Sequence, residues 1–425
     1  MFLLRKTALS MSASTPYRDF RTVDPFADPL DALLAEIAIN IQLPPGLHAK
    51  AGDRYASVRA FIERPGSPLH GRVRAFYPQG SMAIDATIST RGTDDEYDID
   101  IICEIDGAGE TAAQLMDVLE AALAGYPQVR IKRQTRCMTL YYADGMHLDI
   151  TPSRRAAPAE KVSEIVHHKS DSADAGHYVL MNAWGFIEWY RARTPTEDRF
   201  ALAMNSRFYE DAGIAFAAAD VDEVPPQTPL VIKNVATVAQ QLLKRHRNIA
   251  YADADGRIPP SVVISCYAGK AAVAGLGLAD MLIRQARWTA RAIEEADRAQ
   301  RLIAVPNPVF ELEKFTDRWP ETHAQQRTYA GLLNTLADGL EAARRNVELE
   351  DLQAWLRKQF GERVVTRSVV AFNERLGRQV KSQQHGYTRN GGLFTPAAPA
   401  IIGVAADLSP VRAVAHTNMG ERRPS

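Results

Sequence analysis

Tyr97-Asp98-Ile99-Asp100-Ile101-Ile102 opens a run to Ile105 in which acidic and aliphatic residues alternate. That period is a strand's, so Asp98 and Asp100 project to one face while Ile99 and Ile101 project to the other. Two carboxylates brought together without a cation repel and raise one another's pKa, so the pattern suits a hard-cation site with magnesium as its default occupant. A second apolar stretch, His147-Leu148-Asp149-Ile150-Thr151, sets Asp149 between two core-facing aliphatics and turns its carboxylate to the open face. If the two segments pair, three acids stand together. Such a set holds two metal ions about 3.5 to 4 Å apart, one activating a hydroxyl and one neutralising the leaving group of an in-line phosphoryl or nucleotidyl transfer. Manganese is a possible substitute for magnesium.

Upstream, Tyr77-Pro78-Gln79-Gly80-Ser81 ends a strand in a Gly-Ser turn before a short helical turn at Met82-Ala83-Ile84. Glycine permits close backbone approach, and the amides of such a turn, with the Ser81 hydroxyl, can cradle a triphosphate. Each element has a plain structural alternative: Asp-x-Asp recurs in ordinary strands, Gly-Ser in ordinary turns, and Asp149 alone reads equally as an edge-strand charge. Their order and spacing together are far more specific than any one of them.

Around this centre the chain reads as α+β. Asp28 caps a helix whose apolar stripe is Leu30, Leu33, Leu34, Ile37 and Ile41, and Pro44-Pro45 stops it. A second helix runs through Tyr55, Val58 and Phe61 to Ile62, and short strands occupy Val73 to about Thr151. Thr111 to Leu123 is helical between them, and Ala143-Asp144-Gly145 is the turn of a hairpin formed by Met138 to Tyr142 and His147 to Thr151. Beyond Pro152 helical spacing takes over, at Tyr178 to Tyr190, Val231 to Arg247, Ser261 to Leu276, Leu278 to Leu302 and Tyr329 to Phe360. The expected division is an extension at 1–27, a catalytic core at 28–165, a helical lobe at 166–395 and a mobile Ala/Pro-rich tail at 396–425.

Composition bounds the function. Fifty Lys plus Arg nearly balance 51 Asp plus Glu, so no global field marks a nucleic-acid or membrane-surface binder. Cys103, Cys137 and Cys266 stand apart with no C-x-x-C pair, against a disulfide framework or a structural zinc. No apolar run approaches the ~20 residues that span a bilayer, and the opening MFLLRKTALSM reads as an extension, or as an overcalled start with Met11 the true beginning, rather than a secretory signal. A cytoplasmic location fits.

Taken with their spacing, Gln79-Gly80-Ser81, Glu96-Tyr97-Asp98-Ile99-Asp100-Ile101-Ile102 and His147-Leu148-Asp149-Ile150-Thr151-Pro152 resemble the signature of the cGAS/DncV-like nucleotidyltransferases, the CD-NTases of bacterial CBASS anti-phage systems. Leu242 to Arg247, Pro260-Ser261 and Asn307-Pro308 through Phe315, Asp317 and Trp319 are similar to family segments as well, so the resemblance spans about residues 30 to 395. It implies a polymerase-β-like lobe with a mixed sheet plus a C-terminal helical lobe, and two NTPs in the cleft. It also implies attack of a 3′ or 2′ hydroxyl on an α-phosphate, pyrophosphate release, and closure of a cyclic di- or trinucleotide second messenger. By the same resemblance Lys244 and Ser261 touch triphosphate. On the residues alone, Lys244 also reads as a cation at a helix C-terminus and Ser261 as an N-cap. Arg136, with Arg130, Lys132 and Arg133 nearby, reads as a solvated basic face or as a contact for substrate phosphates.

His147, His167 and His168 lack metal-ligand spacing and read as surface or satisfied histidines. No Cys/His cluster supplies the zinc-binding insert of vertebrate relatives, so activation by DNA is not implied. HORMA-type or ubiquitin-transfer-like activators are known for other members, and the ending Glu421-Arg422-Arg423-Pro424-Ser425 does not choose between them. Two other readings stay open: a polymerase-β relative that modifies a protein, an antibiotic or an RNA end, and an inactive nucleotide-binding scaffold.

Overall fold

The computed structural model of the 425-residue chain describes residues 25–89, 97–157, 161–168, 174–211, 232–346, 349–381, 386–387 and 393–394. The expected extension up to position 24, with Met11, lies outside the described residues. So do Val231 and the whole 396–425 tail.

Helix α1 (Pro29–Ile41) begins where the Asp28 carboxylate accepts the Leu30 N–H at 2.9 Å and Pro29 supplies a pre-set φ. Helix α2 (Pro45–Ile62) starts well before the expected Tyr55, because Pro45 sits in its first turn and opens the helix as well as ending the link from α1. Strand β1 (Val73–Pro78) leads into the short helix α3 (Gly80–Ala83), then β2 (Tyr97–Ile105) and α4 (Ala112–Leu123). Thr111 and Gln114 close α4 with a reciprocal capping box. The remaining strands of the sheet are β3 (Arg130–Arg133), β4 (Met138–Tyr141), β5 (Met146–Ala157), β6 (Val162–His167) and β7 (His177–Met181).

The sheet order is β1-β2-β5-β4-β3, with β6 pairing both β5 and β7. Every pairing is antiparallel except β2 with β5, which is parallel, so the sheet is mixed. Ile99, Ile101, Leu140, Leu148 and Ile150 bury one face against Val58 and Ile62 of α2 and Leu115 and Leu119 of α4. Covering that face fixes the alternation and leaves the acids of the same strands on the other.

The chain continues through α5 (Ala183–Arg193), α6 (Asp198–Asp211), α7 (Val235–Ala250), α8 (Ser261–Ala271) and α9 (Leu278–Arg298). A hairpin of β8 (Pro306–Asn307) and β9 (Phe310–Lys314) follows, then α10 (His323–Asn346), α11 (Leu349–Phe360), α12 (Glu362–Lys381) and a short pair, β10 (Gly386–Tyr387) and β11 (Leu393–Phe394). The helix expected from Tyr178 begins only at Ala183: His177–Met181 is a strand, and the Asn182 side chain caps α5 by accepting the Gly185 N–H. No helix among the described residues is long and apolar enough to cross a membrane.

Two features of the expected division differ from the observed packing. The cut at 165/166 runs through β6 and leaves β7 beyond it. Helix α1, expected within the catalytic core, packs Leu30, Leu34 and Ile37 into the helical cluster with Val238, Leu242, Leu282, Leu333 and Val365. A buried ion network ties it there, since Glu36, fully buried, accepts from Arg207 Nη1 of α6 at 2.8 Å and from Arg375 Nε of α12 at 2.9 Å. Removing one member of such a network strands buried charge, so Glu36→Ala is expected to lower unfolding stability by about 3–5 kcal/mol. The denaturant midpoint measures this; a shift worth under about 1 kcal/mol is the contrary result.

Candidate active site

The parallel register of β2 and β5 sets Asp100 directly beside Asp149 and Asp98 beside His147. Asp98, Asp100 and Asp149 line one cavity, so the later acid does join the earlier pair. On the far side of β5, Thr139 of β4 is registered with Asp149, and its hydroxyl donates to Asp149 Oδ1 at 2.5 Å. Asp98, more than half exposed, pairs its Oδ1 with His147 Nδ1 at 3.1 Å. Burial, and then the charges of Asp149 and Asp98, push the Asp100 carboxyl up to about 7, while Lys244 pulls it down.

The donors are all oxygen, as a hard divalent cation requires. Among the described residues no three His, Cys, Asp or Glu side chains already surround one ion position. The hydrogen bonds to His147 and Thr139 each engage one oxygen, Oδ1 of Asp98 and Oδ1 of Asp149.

Gln79-Gly80-Ser81 lies against these acids. The Gln79 N–H donates to the Asp100 carbonyl at 2.8 Å, and the Ala86 N–H donates to the Ser81 carbonyl at 2.8 Å. Gly80 has φ +59°, and a Cβ built on it would stand 2.4 Å from Asp100 Oδ2. Glycine is therefore demanded twice at this position, by backbone conformation and by the carboxylate packed on it.

Lys244 does not end its helix. Helix α7 runs on to Ala250 because the cations that follow find buried acceptors: Arg245 Nε donates to the Phe360 carbonyl at 2.8 Å and Arg247 Nη1 to the Pro259 carbonyl at 2.7 Å. Gln241, Lys244 and Asn248, on one face of α7 by their spacing, donate to the carbonyls of Thr87 at 3.1 Å, Ala86 at 2.8 Å and Ser89 at 3.5 Å. This row stitches the segment after α3 to the helical cluster. Lys244 is 4% exposed and lines the cavity; burial, and then Arg247, push its ammonium down to about 7, with Asp100 and Asp98 pulling it up.

Ser261 is the first residue of α8, one past the Pro260 N-cap, so it is no cap itself. Its hydroxyl accepts from Arg247 Nη1 at 3.1 Å, and it lines the same cavity as Gln79, Gly80, Ser81 and Lys244. That cavity holds about 390 Å³ and is lined as well by Met181, Phe186, Glu313 and Phe315. Arg136 lies outside it. A neighbouring cavity of about 340 Å³ shares Asp98 and Asp149 and is lined by Arg136, Gln134, Cys137, Tyr141, His147 and Arg318. Arg136 is only partly exposed; its Nε donates to His167 Nδ1 at 3.2 Å and its Nη2 pairs with Asp317 at 3.4 Å. A merely solvated basic face does not describe it. The basic neighbours turn elsewhere, Arg133 to Asp117 and Glu120, and Arg130 over the Tyr141 ring.

His147, expected as a surface or satisfied histidine, is satisfied by Asp98, and its place in the site had a signal in the sequence, because His147 and Asp149 repeat the two-residue spacing of Asp98 and Asp100 on the partner strand. Thr139, Glu313 and Arg318 were not singled out by the sequence.

A family model for the Second Messenger Oligonucleotide or Dinucleotide Synthetase domain matches residues 30–165. Over 408 residues the chain is 70% identical to the cyclic dinucleotide synthase CdnG of Bradyrhizobium diazoefficiens, covering 96% of this chain and 98% of that protein. The chain belongs to the CD-NTase family. A solved structure of the Bradyrhizobium diazoefficiens CD-NTase CdnG in complex with GTP is 68% identical, with a TM-score of 0.77 over 82% of this chain and 100% of that one. The E. coli MS115-1 CdnC:HORMA-deltaN complex, 14% identical with a TM-score of 0.52 over 78% of this chain and 96% of that one, shares the fold. The CD-NTase is a nucleotidyltransferase with the polymerase-β-like architecture expected from its motifs.

In this CD-NTase the Gly80→Ala substitution is expected to cost about 1–2 kcal/mol of stability for left-handed backbone. Nucleotidyl transfer is expected to fall by more than that loss explains, because the new methyl displaces the Asp100 carboxylate. Thermal melting alongside initial rates checks it; unaltered rates are the contrary result.

Proposed function

We propose that this CD-NTase joins nucleoside triphosphates into a cyclic di- or trinucleotide second messenger for anti-phage signalling, with GTP among its substrates. The observation that carries the reading is the pair of adjoining cavities that share Asp98 and Asp149. One holds the phosphate-binding turn, and the other carries Arg136 and Arg318, so two nucleotides meet across the same acids. The GTP bound to the related CdnG supports a guanine nucleotide as one of them.

In the larger cavity the amides of the Gly80-Ser81 turn and the Ser81 hydroxyl hold the triphosphate, with Ser261 beside it. Lys244 spends one N–H on the Ala86 carbonyl and keeps two for phosphate oxygens. In the smaller cavity Arg136 and Arg318 hold the phosphates of the acceptor nucleotide. Asp149, with Oδ1 fixed by Thr139, takes the proton of the attacking 3′ or 2′ hydroxyl on its other oxygen. The new bond forms from that hydroxyl oxygen to the α-phosphorus, the bond to the bridging oxygen breaks, and pyrophosphate leaves. Repetition on the linear product closes the ring.

Asp98, Asp100 and Asp149 are the residues that would hold magnesium, as two ions, or manganese in its place. Such ions supply charge neutralisation at the α-phosphate and the leaving group and lower the pKa of the attacking hydroxyl. A cytoplasmic location, where NTPs are abundant, belongs to this reading. A HORMA-type or ubiquitin-transfer-like activator is a compatible partner, the former by analogy with the CdnC:HORMA-deltaN complex.

Incubation with labelled NTPs and Mg²⁺ is expected to give a phosphatase-resistant cyclic product that EDTA abolishes and added Mg²⁺ or Mn²⁺ restores. Asp98→Ala with Asp100→Ala is expected to reduce turnover about a thousandfold or more with the melting temperature preserved. Label transferred solely to an added protein or RNA acceptor, or full turnover in the double variant, overturns the reading.

A further inference from the structure

Besides the phosphate-binding turn, the larger cavity has a second polar feature. Glu313 of β9 is half-buried in its wall and rigidly held. Its Oε2 accepts the Asn182 N–H at 2.9 Å and the Asn307 Nδ2 at 2.7 Å. Asn307 is itself fully buried and fixed in orientation: Nδ2 also donates to the Asn182 carbonyl at 3.1 Å, while Oδ1 accepts the Val309 N–H at 3.1 Å. Both donors therefore go to one carboxylate oxygen. The other, Oε1, has no hydrogen-bond partner among the described residues and is left for whatever fills the cavity.

A phosphate does not suit Glu313, because an acid repels phosphate, whereas Ser81 and Lys244 of the same lining attract it. Burial raises the Glu313 pKa, and the hydrogen bonds from Asn182 and Asn307 lower it. The walls around it are flat or apolar, with Phe186 and Phe315 edge to face at 5.1 Å and Met181 and Ala183 beside them. A planar, uncharged group carrying N–H donors on its edge fits such a place, and a nucleobase is that group.

Given the nucleotide-binding reading of this cavity, we infer that Glu313 selects guanine for the nucleotide whose triphosphate lies on the Ser81 turn. An ionised carboxylate only accepts hydrogen bonds. Guanine presents two neighbouring donors on its Watson–Crick edge, N1–H and the 2-amino group, and both can converge on Oε1. Adenine presents a donor at N6 but an acceptor at N1, which would face the carboxylate oxygen. Uracil and cytosine each present a ring or exocyclic donor with an acceptor directly beside it.

The holding network makes Glu313→Gln a sharp test. The two N–H donors from Asn182 and Asn307 need an oxygen opposite them, so they draw the amide oxygen into the Oε2 position and turn the NH₂ into the cavity. An acceptor becomes a donor. Guanine N1–H then meets a donor, while adenine N1 gains a partner. One unmatched buried polar contact corresponds to about a ten- to hundredfold change in affinity.

The measurement is displacement of a labelled, unreactive α,β-methylene analogue of GTP by the corresponding analogues of GTP, ITP and ATP. The unaltered protein is expected to rank them GTP, then ITP, which keeps N1–H but lacks the 2-amino group, then ATP. Glu313→Gln is expected to lose about ten- to hundredfold in GTP affinity with ATP affinity held or raised. Equal binding of the three analogues by the unaltered protein overturns the assignment without touching the nucleotide-binding reading, and no binding of any of them overturns both. A Glu313→Gln protein that keeps the original GTP-to-ATP ratio overturns the assignment; should that variant fail to fold, the ranking by the unaltered protein decides.

Discussion

Repulsion between Asp100 and Asp149 is the constraint around which this molecule is arranged. Strands in one sheet lie about 4.8 Å apart, and the parallel register of β2 and β5 sets these two acids side by side at that spacing. Like charges about 4 Å apart repel by about 4 kcal/mol at an effective dielectric constant near 20. The sheet tolerates this because the alternate residues, Ile99, Ile101, Leu148 and Ile150, are sealed against α2 and α4 and fix the backbone. The charge is relieved by the Thr139 hydroxyl of β4 on Asp149, by His147 of β5 on Asp98, and by Lys244 from the helical cluster. The raised Asp100 carboxyl is the residual mismatch, which the divalent ions of the proposed function would relieve.

Lys244 shows how the two halves are made to depend on one another. Helix α7 contributes its apolar side, Val235, Val238 and Leu242, to the helical core, and its polar row, Gln241, Lys244 and Asn248, to the carbonyls of residues 86–89. The Gly80-Ser81 turn is thereby fixed from behind by helical residues and from in front by the Asp100 backbone through Gln79. A buried lysine between Arg247 on one side and two aspartates on the other has its charge set by that balance. Movement of α7 relative to the sheet would alter the turn, the cation and the acids together.

The elements whose side chains obey a strong local period were legible in the sequence. Strand β2, helix α1 with its Asp28 cap, helix α4 with its Thr111–Gln114 box and the β4–β5 hairpin all follow from pattern and turn chemistry. The three acids and Gly80 were legible because each breaks an apolar or steric rule at a fixed spacing. The failures have a common physical origin in tertiary contacts that override local pattern. His177–Met181 is a strand because β6 pairs with it, although its sequence runs on smoothly into the helical spacing of α5. The Lys244–Arg247 run resembles a solvated helix end, yet it is buried because Phe360 and Pro259, distant in sequence, offer it carbonyls. Glu313 and Arg318 follow no spacing rule, since their place in the cavities depends on how the β8–β9 hairpin meets α5 and β7.

The division of labour within the larger cavity follows from the same geography. The acids proposed to carry the chemistry sit on the sheet, where register holds the Cα positions of Asp98, Asp100 and Asp149 to one another. The rest of the lining is drawn from β9, the start of α5 and α8, held by side-chain contacts such as Asn307 to Glu313 and Phe315 to Phe186. A substitution in that part of the lining changes which group faces the ligand without moving β2 against β5. Chemistry common to a family and a ligand preference particular to one member can therefore reside in one pocket. The first is bound by sheet hydrogen bonds that tolerate no slippage, and the second by a carboxylate whose orientation rests on one buried asparagine and one backbone N–H.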